Sequence, residues 1–283
     1  MKYSSVIVLA LLLFVSLGDS VSAGDTARVS SADGVEIVYT AHGGGDPALV
    51  FVHCWCCDAT YWKAQAPAFA AEHTVVTIDL AGHGNSGMAR EEWTVEAYGA
   101  DVAAVVQALD LERVILIGHS MGGTVNIAAA KRMPDRVIAL VGVDTYQNLE
   151  RSIPKFQQEQ FLGSFKADFA ATTNAFVRTM FPQDADSTLV EWVANDMASA
   201  PAEIGIGSME KLLEYEVSGF KELEIPIYCI NSDRYPTEVE AGKRKAYAFS
   251  VRLMPGHGHF LHMEDSGTFN ELLEDVIEEI AGD

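Results

Sequence analysis

Most of the strand-length apolar runs in this chain are apolar from end to end, not at every second position. Val35 to Tyr39, Ala48 to His53, Thr74 to Ile78, Val114 to Ile117, Val137 to Val143, Ile227 to Ile230 and Val251 to Met254 read as strands. A strand apolar on both faces has to be covered on both, the condition of a mostly parallel sheet with helices on either side. Helical patterns separate the runs. Val95 to Leu109 is one, and Thr124 to Met133, stopped by Pro134, is another. At the end of the chain Phe269, Leu272, Leu273, Val276, Ile277 and Ile280 fall on one helical stripe, with acids on the opposite face. Strand alternating with helix predicts an α/β fold with right-handed crossovers. Hydrophobic residues make up 49% of the 283, enough to fill such a core.

The alternation stops between Tyr146 and Leu223. Helical stretches there (Asp168 to Met180, Ser187 to Met197, Ala202 to Tyr215) are broken by Pro154, Pro182 and Pro201. The interval is too long for one crossover helix. It reads as a helical cap, residues 146–223, inserted into a core of residues 24–145 and 224–283 and lying over the carboxyl edge of the sheet.

The first 23 residues read as a signal peptide. Lys2 gives a positive start, Val6 to Val15 is an unbroken apolar run, and Val21-Ser22-Ala23 offers small residues for cleavage after Ala23. The run is well short of the ~20 residues a membrane-crossing helix needs. The expected location is therefore secreted or periplasmic, with no membrane span after cleavage. The net charge of −21 and an acid-only C-terminal stretch from Glu264 repel phosphate backbones, which argues against nucleic acid as a partner.

The run Val114 to Ile117 leads into Gly118-His119-Ser120-Met121-Gly122-Gly123, which fits G-x-S-x-G between a strand and a helix. A serine on so sharp a turn sits in strained backbone, and glycines two positions either side remove the clash that side chains would make. The turn also sets the Met121 amide at a helix N-terminus, where negative charge is favoured. Ser120 is thus the candidate nucleophile.

From about Leu49 to the C-terminus the chain resembles the α/β-hydrolase family. "VVTIDLAGHGNSG" (Val75 to Gly87) is similar to the family's D-x-x-G-H-G-x-S turn, a structural element, so neither Asp79 nor His83 is assigned chemistry. "PGHGHFLHMED" resembles its closing G-H-F segment and "NSDRYP" its acid loop. The resemblance implies a triad of Ser120, Asp233 and His259. Asp144, at the end of the run Val137 to Val143, is a rival acid, and His257 a rival base. The family's His-Gly-x loop after its early strand implies oxyanion donors at the Trp55 and Met121 amides, with Cys54 standing where glycine is usual. Trp55, Tyr61, Trp62 and Phe181 are candidate walls of the substrate pocket.

"HCWCC" (His53 to Cys57) holds three of the four cysteines. Structural zinc wants paired cysteine elements separated in sequence, and only Cys229 remains elsewhere, so no metal or other cofactor is expected. A disulfide from Cys54 to Cys229 is one option in an oxidising compartment. The implied activity is a serine hydrolase cleaving an ester-like bond of a small, mostly apolar substrate. Lactones, amides and carbon–carbon bonds are open to the same machinery. The alternative from another class is a non-catalytic ligand-binding protein on the same scaffold, since fold does not fix function.

Overall fold

A computed structural model describes residues 24–282. The leader read from residues 1–23, with its cleavage after Ala23, lies outside the described residues. Eight strands form one sheet: β1 (Asp25–Ser30), β2 (Glu36–His42), β3 (Ala48–Val52), β4 (Val75–Asp79), β5 (Val114–His119), β6 (Val137–Val143), β7 (Ile227–Ser232) and β8 (Phe249–Met254). Their spatial order is β1-β2-β4-β3-β5-β6-β7-β8. β2 pairs antiparallel with β1 and β4, and every other pairing is parallel. Along β3, Leu49 and Phe51 pack into the hydrophobic layer on one face, while Val50 and Val52 pack into the layer on the other. That two-sided burial is why the runs carry no polar alternation. β1 has no counterpart among the seven runs. It is a largely exposed edge strand of Asp, Thr, Ala, Arg, Val and Ser, so its sequence has little apolar signal.

The helices are α1 (Ala66–Phe69), α2 (Val95–Ala108), α3 (Met121–Arg132), α4 (Lys155–Ala167), α5 (Phe169–Arg178), α6 (Ser187–Ala198), α7 (Ala202–Glu214), α8 (Val239–Lys245), α9 (Leu261–Glu264) and α10 (Ser266–Gly282). α10 buries Phe269, Leu273, Val276, Ile277 and Ile280. Burying each such side chain stabilises by ~1.5–3 kcal/mol, which holds this otherwise acidic helix on the sheet. α4 to α7 lie between β6 and β7. Their buried side chains (Leu162, Phe165, Phe169, Val177, Val193, Ala194, Ile204) join the layer that also holds Trp55 and Met121. The helical segment therefore packs onto the turns that follow β3 and β5.

Candidate active site

Ser120 links β5 directly to α3 and has φ 53° and ψ −113°. A side chain at such a φ is uncommon and costs free energy that the surroundings must offset. Here the turn is held by the Ser120 N–H donating to the Val143 carbonyl at 3.1 Å and the Gly123 N–H donating to the Ser120 carbonyl at 3.0 Å. The glycines are required by contact. A Cβ on Gly118 would meet the Gly122 backbone at 2.5 Å, and one on Gly122 would meet the Val52 carbonyl oxygen at 2.3 Å. Because α3 starts at Met121, the Met121 N–H belongs to the helix's first turn, whose donors have no intrahelical acceptor. Among the described residues, neither the Trp55 nor the Met121 N–H is taken up by a protein acceptor.

His259 lies in the loop between β8 and α9. Its ring Nδ1 is 2.6 Å from Asp144 Oδ2. With an ionised carboxylate as acceptor, Nδ1 carries the proton and Nε2 presents a lone pair. The backbone of His259 is also fixed. Its N–H donates to the Met180 carbonyl at 2.9 Å, and its carbonyl accepts from His119 Nε2 at 2.8 Å. His257, the rival base, turns its Nδ1 to the carbonyl of Pro255 at 3.1 Å, outside this arrangement.

The acid at the histidine is Asp144, which corrects the assignment of Asp233. Asp144 caps the end of β6, with φ 43°, and is buried. Its Oδ1 accepts from both the Ser232 N–H and the Ser232 hydroxyl at 2.9 Å. Burial opposes its ionisation. The hydrogen bond and charge of His259, with the two Ser232 donors, outweigh that and hold the carboxyl below its usual range. Asp233 is exposed and accepts from the Gly256 N–H at 2.9 Å, which ties two loops together. The physical reason is strand order. β6 is the immediate neighbour of β5, which carries Ser120, whereas β7 is one strand further out. Asn231 reinforces the arrangement, its side-chain amide pairing with both the N–H and the carbonyl of Thr145 at 3.1 Å.

The stretch His53 to Cys57 departs from expectation in its cysteines. Cys54 is bonded to Cys57, not to Cys229. Cys56 and Cys229 are buried free thiols, and burial pushes both thiol pKa values up, so neither is a ready nucleophile. No group of three or more metal-ligating side chains occurs among the described residues.

The four aromatics diverge. The Trp55 indole donates to the Gly205 carbonyl at 2.7 Å and meets Phe165 and Phe169 edge-on. Tyr61 donates its hydroxyl to Asp196 at 2.7 Å. Phe181 stacks on Phe260 at 5.1 Å. These three sit at the junction of the sheet and the helical segment. Trp62 does not, which corrects its placement as a pocket wall. It is fully buried against Phe51 and His262, in the layer under α10. Trp62 follows Tyr61 on a single turn of 3₁₀ helix, and neighbours on such a turn face different ways.

Two features escaped the sequence reading. Asp79 accepts from the Ala59 and Asn85 N–H groups, both at 2.8 Å, and so braces the turn after Cys57. Four histidines, 53, 83, 119 and 262, are buried around the site. Burial lowers their pKa values, those of His83 and His262 to about 3.

A mostly parallel sheet with a serine on a strained strand-to-helix turn, together with a histidine bonded to a buried aspartate, fits an α/β-hydrolase. Residues 49–272 match the model of the Alpha/beta hydrolase family, and the chain belongs to that family. A curated relative is the dihydrolipoyllysine-residue acetyltransferase component of the acetoin cleaving system of Pseudomonas putida, 29% identical over 239 residues, 81% of this chain and 63% of that protein. This chain therefore spans under two thirds of the length of that relative. Among solved structures, an esterase from Exiguobacterium antarcticum superposes with a TM-score of 0.80 at 17% identity, covering 90% of this chain and 100% of that one. A thermophilic esterase from Thermogutta terrifontis superposes with a TM-score of 0.78 at 21% identity, covering 90% and 99%. At these identities the likeness is one of fold.

Proposed function

We propose that this α/β-hydrolase is a serine hydrolase cleaving ester-like bonds of small, mostly apolar molecules through Ser120, His259 and Asp144. The observation that carries the reading is the 2.6 Å bond from His259 Nδ1 to Asp144. It leaves Nε2 as the acceptor that a serine hydroxyl needs. Ser120 Oγ attacks the carbonyl carbon as its proton passes to His259 Nε2. Asp144 stabilises the imidazolium without taking the proton. The oxyanion is met by the Trp55 and Met121 N–H groups. His259 then protonates the leaving group, which departs with the acyl group on Ser120. Water, deprotonated by the same nitrogen, releases the acid and restores the serine. α4 to α7 act as a cap that selects the substrate, and Trp55, Tyr61 and Phe181 contribute its apolar surface. The leader pattern in residues 1–23 and the Cys54–Cys57 disulfide support an exported, secreted or periplasmic location.

The test is labelling with a fluorophosphonate, followed by a panel of p-nitrophenyl esters of rising chain length, with a lactone and an amide for comparison. The expected outcome is one modified residue, Ser120, and turnover that falls with acyl length. Ser120→Ala should fold and lose about 10⁴-fold or more in kcat, since triad members act as a unit. Esterase turnover persisting in Ser120→Ala contradicts the mechanism. A folded parent inert to the probe points to a binding protein.

A further inference from the structure

We propose that the Cys54–Cys57 disulfide is a positioning device for catalysis, holding the Trp55 backbone N–H in register with that of Met121. This rests on the reading of Ser120 as nucleophile and of those two amides as its oxyanion donors.

The bridge joins residues three apart, with Cα atoms 5.3 Å apart, and encloses only Trp55 and Cys56. Cys56 has φ 56°, the left-handed region, although it carries a side chain. Such a residue persists only where its surroundings over-determine it. Both flanks of the loop are anchored. Upstream, His53 Nδ1–H donates to the Cys54 carbonyl at 2.8 Å, and its Nε2 accepts the Leu80 N–H at 3.0 Å. Downstream, Asp58 accepts from the Thr60 N–H and Asp79 from the Ala59 N–H, both at 2.8 Å. Between these anchors, one backbone bond crosses the loop among the described residues, from the Cys57 N–H to the Cys54 carbonyl at 3.2 Å. The disulfide is the second crossing and the only covalent one.

Two contacts extend the constraint to the cap. The Trp55 indole is bonded to the Gly205 carbonyl on α7. A Cβ on Gly205 would lie 3.1 Å from Cys56 Sγ, so helix and loop are in close register. Cys54, which stands where the family resemblance has glycine, is not itself left-handed. The strained residue falls two positions later, inside the bridge. A disulfide closing so short a loop constrains the unfolded chain least, so its main effect is local order in the folded state.

The test is the double variant C54S/C57S, assayed for kcat and KM on a p-nitrophenyl ester. Its affinity for a trifluoromethyl ketone, which adds Ser120 and places an oxyanion in the hole, is measured beside that for the unfluorinated ketone, which does not. We expect kcat to fall roughly 10- to 100-fold, less than the loss of a whole oxyanion donor, with KM within about threefold. Trifluoromethyl ketone affinity should fall in step while the plain ketone is unaffected. A folded double variant with parental kcat and trifluoromethyl ketone affinity overturns the proposal, as does equal weakening of both ketones. If the variant does not fold, the parent is compared oxidised and reduced at matched folded fraction. Dithiothreitol is oxidised to its cyclic disulfide as the two thiols form. Unchanged kcat on reduction then overturns the proposal. So does a fully active parent in which all four cysteines alkylate under denaturing, non-reducing conditions. Failure of Ser120 to react with a fluorophosphonate in the parent sinks the proposed function instead, whatever the disulfide does.

Discussion

Two aspartates sit at the carboxyl ends of neighbouring strands, and their fates differ. Asp144, after β6, is buried, receives two bonds from Ser232 and reaches His259. Asp233, just past β7, is exposed and braces the backbone of Gly256. Both are the right residue type at a strand end. What separates them is the distance from Ser120 across the sheet. β6 exchanges hydrogen bonds with β5, and the Ser120 N–H itself donates to the Val143 carbonyl, the residue before Asp144. A carboxylate set there needs no long loop to meet a histidine arriving from β8. The lesson is that strand order in space, not motif spacing along the chain, selects which aspartate meets the histidine.

The comparison breaks most visibly in kinetics. Asp144→Asn should lower kcat by about 10⁴, because an amide at that place no longer holds the histidine in the tautomer with Nδ1 protonated. Asp233→Asn should stay within about threefold, since its partner is a backbone N–H away from the chemistry. Steady-state assays of the two purified variants decide it, and reversed effects return the acid to Asp233. Ser232→Ala sharpens the same contrast at a smaller scale. It removes one of the two Ser232 donors that, with His259, hold Asp144 ionised, so kcat should fall roughly threefold to tenfold, consistent with a hydrogen bond to a charge worth about 1.5–3 kcal/mol that is partly replaced.

Stability against pH gives an independent check. The folded pKa of Asp144 is lowered, so the stability it contributes is complete above the unfolded value near 3.9 and is lost as pH falls through the lower folded value. Asp144→Asn should lack this component. The buried histidines act at higher pH. The folded pKa of His262 is lowered to about 3 by burial. Below an unfolded value near 6.5 the unfolded chain takes up a proton that the folded protein refuses, and stability falls by up to about 1.4 kcal/mol per pH unit for each such histidine. Thermal melts from pH 7 to 4 should show a falling Tm, and His262→Phe should flatten that fall.

Much of this was legible in the sequence, for physical reasons that differ by residue. The seven runs read as strands announce themselves by their largely buried apolar side chains, and β1 does not because it is an exposed edge with little apolar content. Ser120 was legible because the clash its turn would suffer demands glycines at 118 and 122. His259 was legible from its neighbours Gly258 and Phe260. The acid was not. Asp144 ends an apolar strand without a motif of its own, and its partner is 115 residues away in sequence. The partner of Cys54 was missed for the converse reason. It lay three residues away, and only the fold of the loop shows that Cys57, not Cys229, is within reach. Trp62 was misplaced because adjacency to Tyr61 says nothing about which side of a 3₁₀ turn a ring takes.

The central claim is that Asp144 holds the Nδ1 proton of His259. The most direct measurement is the proton NMR spectrum of ¹⁵N-histidine-labelled protein in the low-field region where a strongly hydrogen-bonded imidazole N–H resonates. The account predicts one such resonance, correlated with His259 Nδ1, retained in Asp233→Asn and lost or shifted far upfield in Asp144→Asn. A resonance that survives Asp144→Asn and disappears in Asp233→Asn would contradict it.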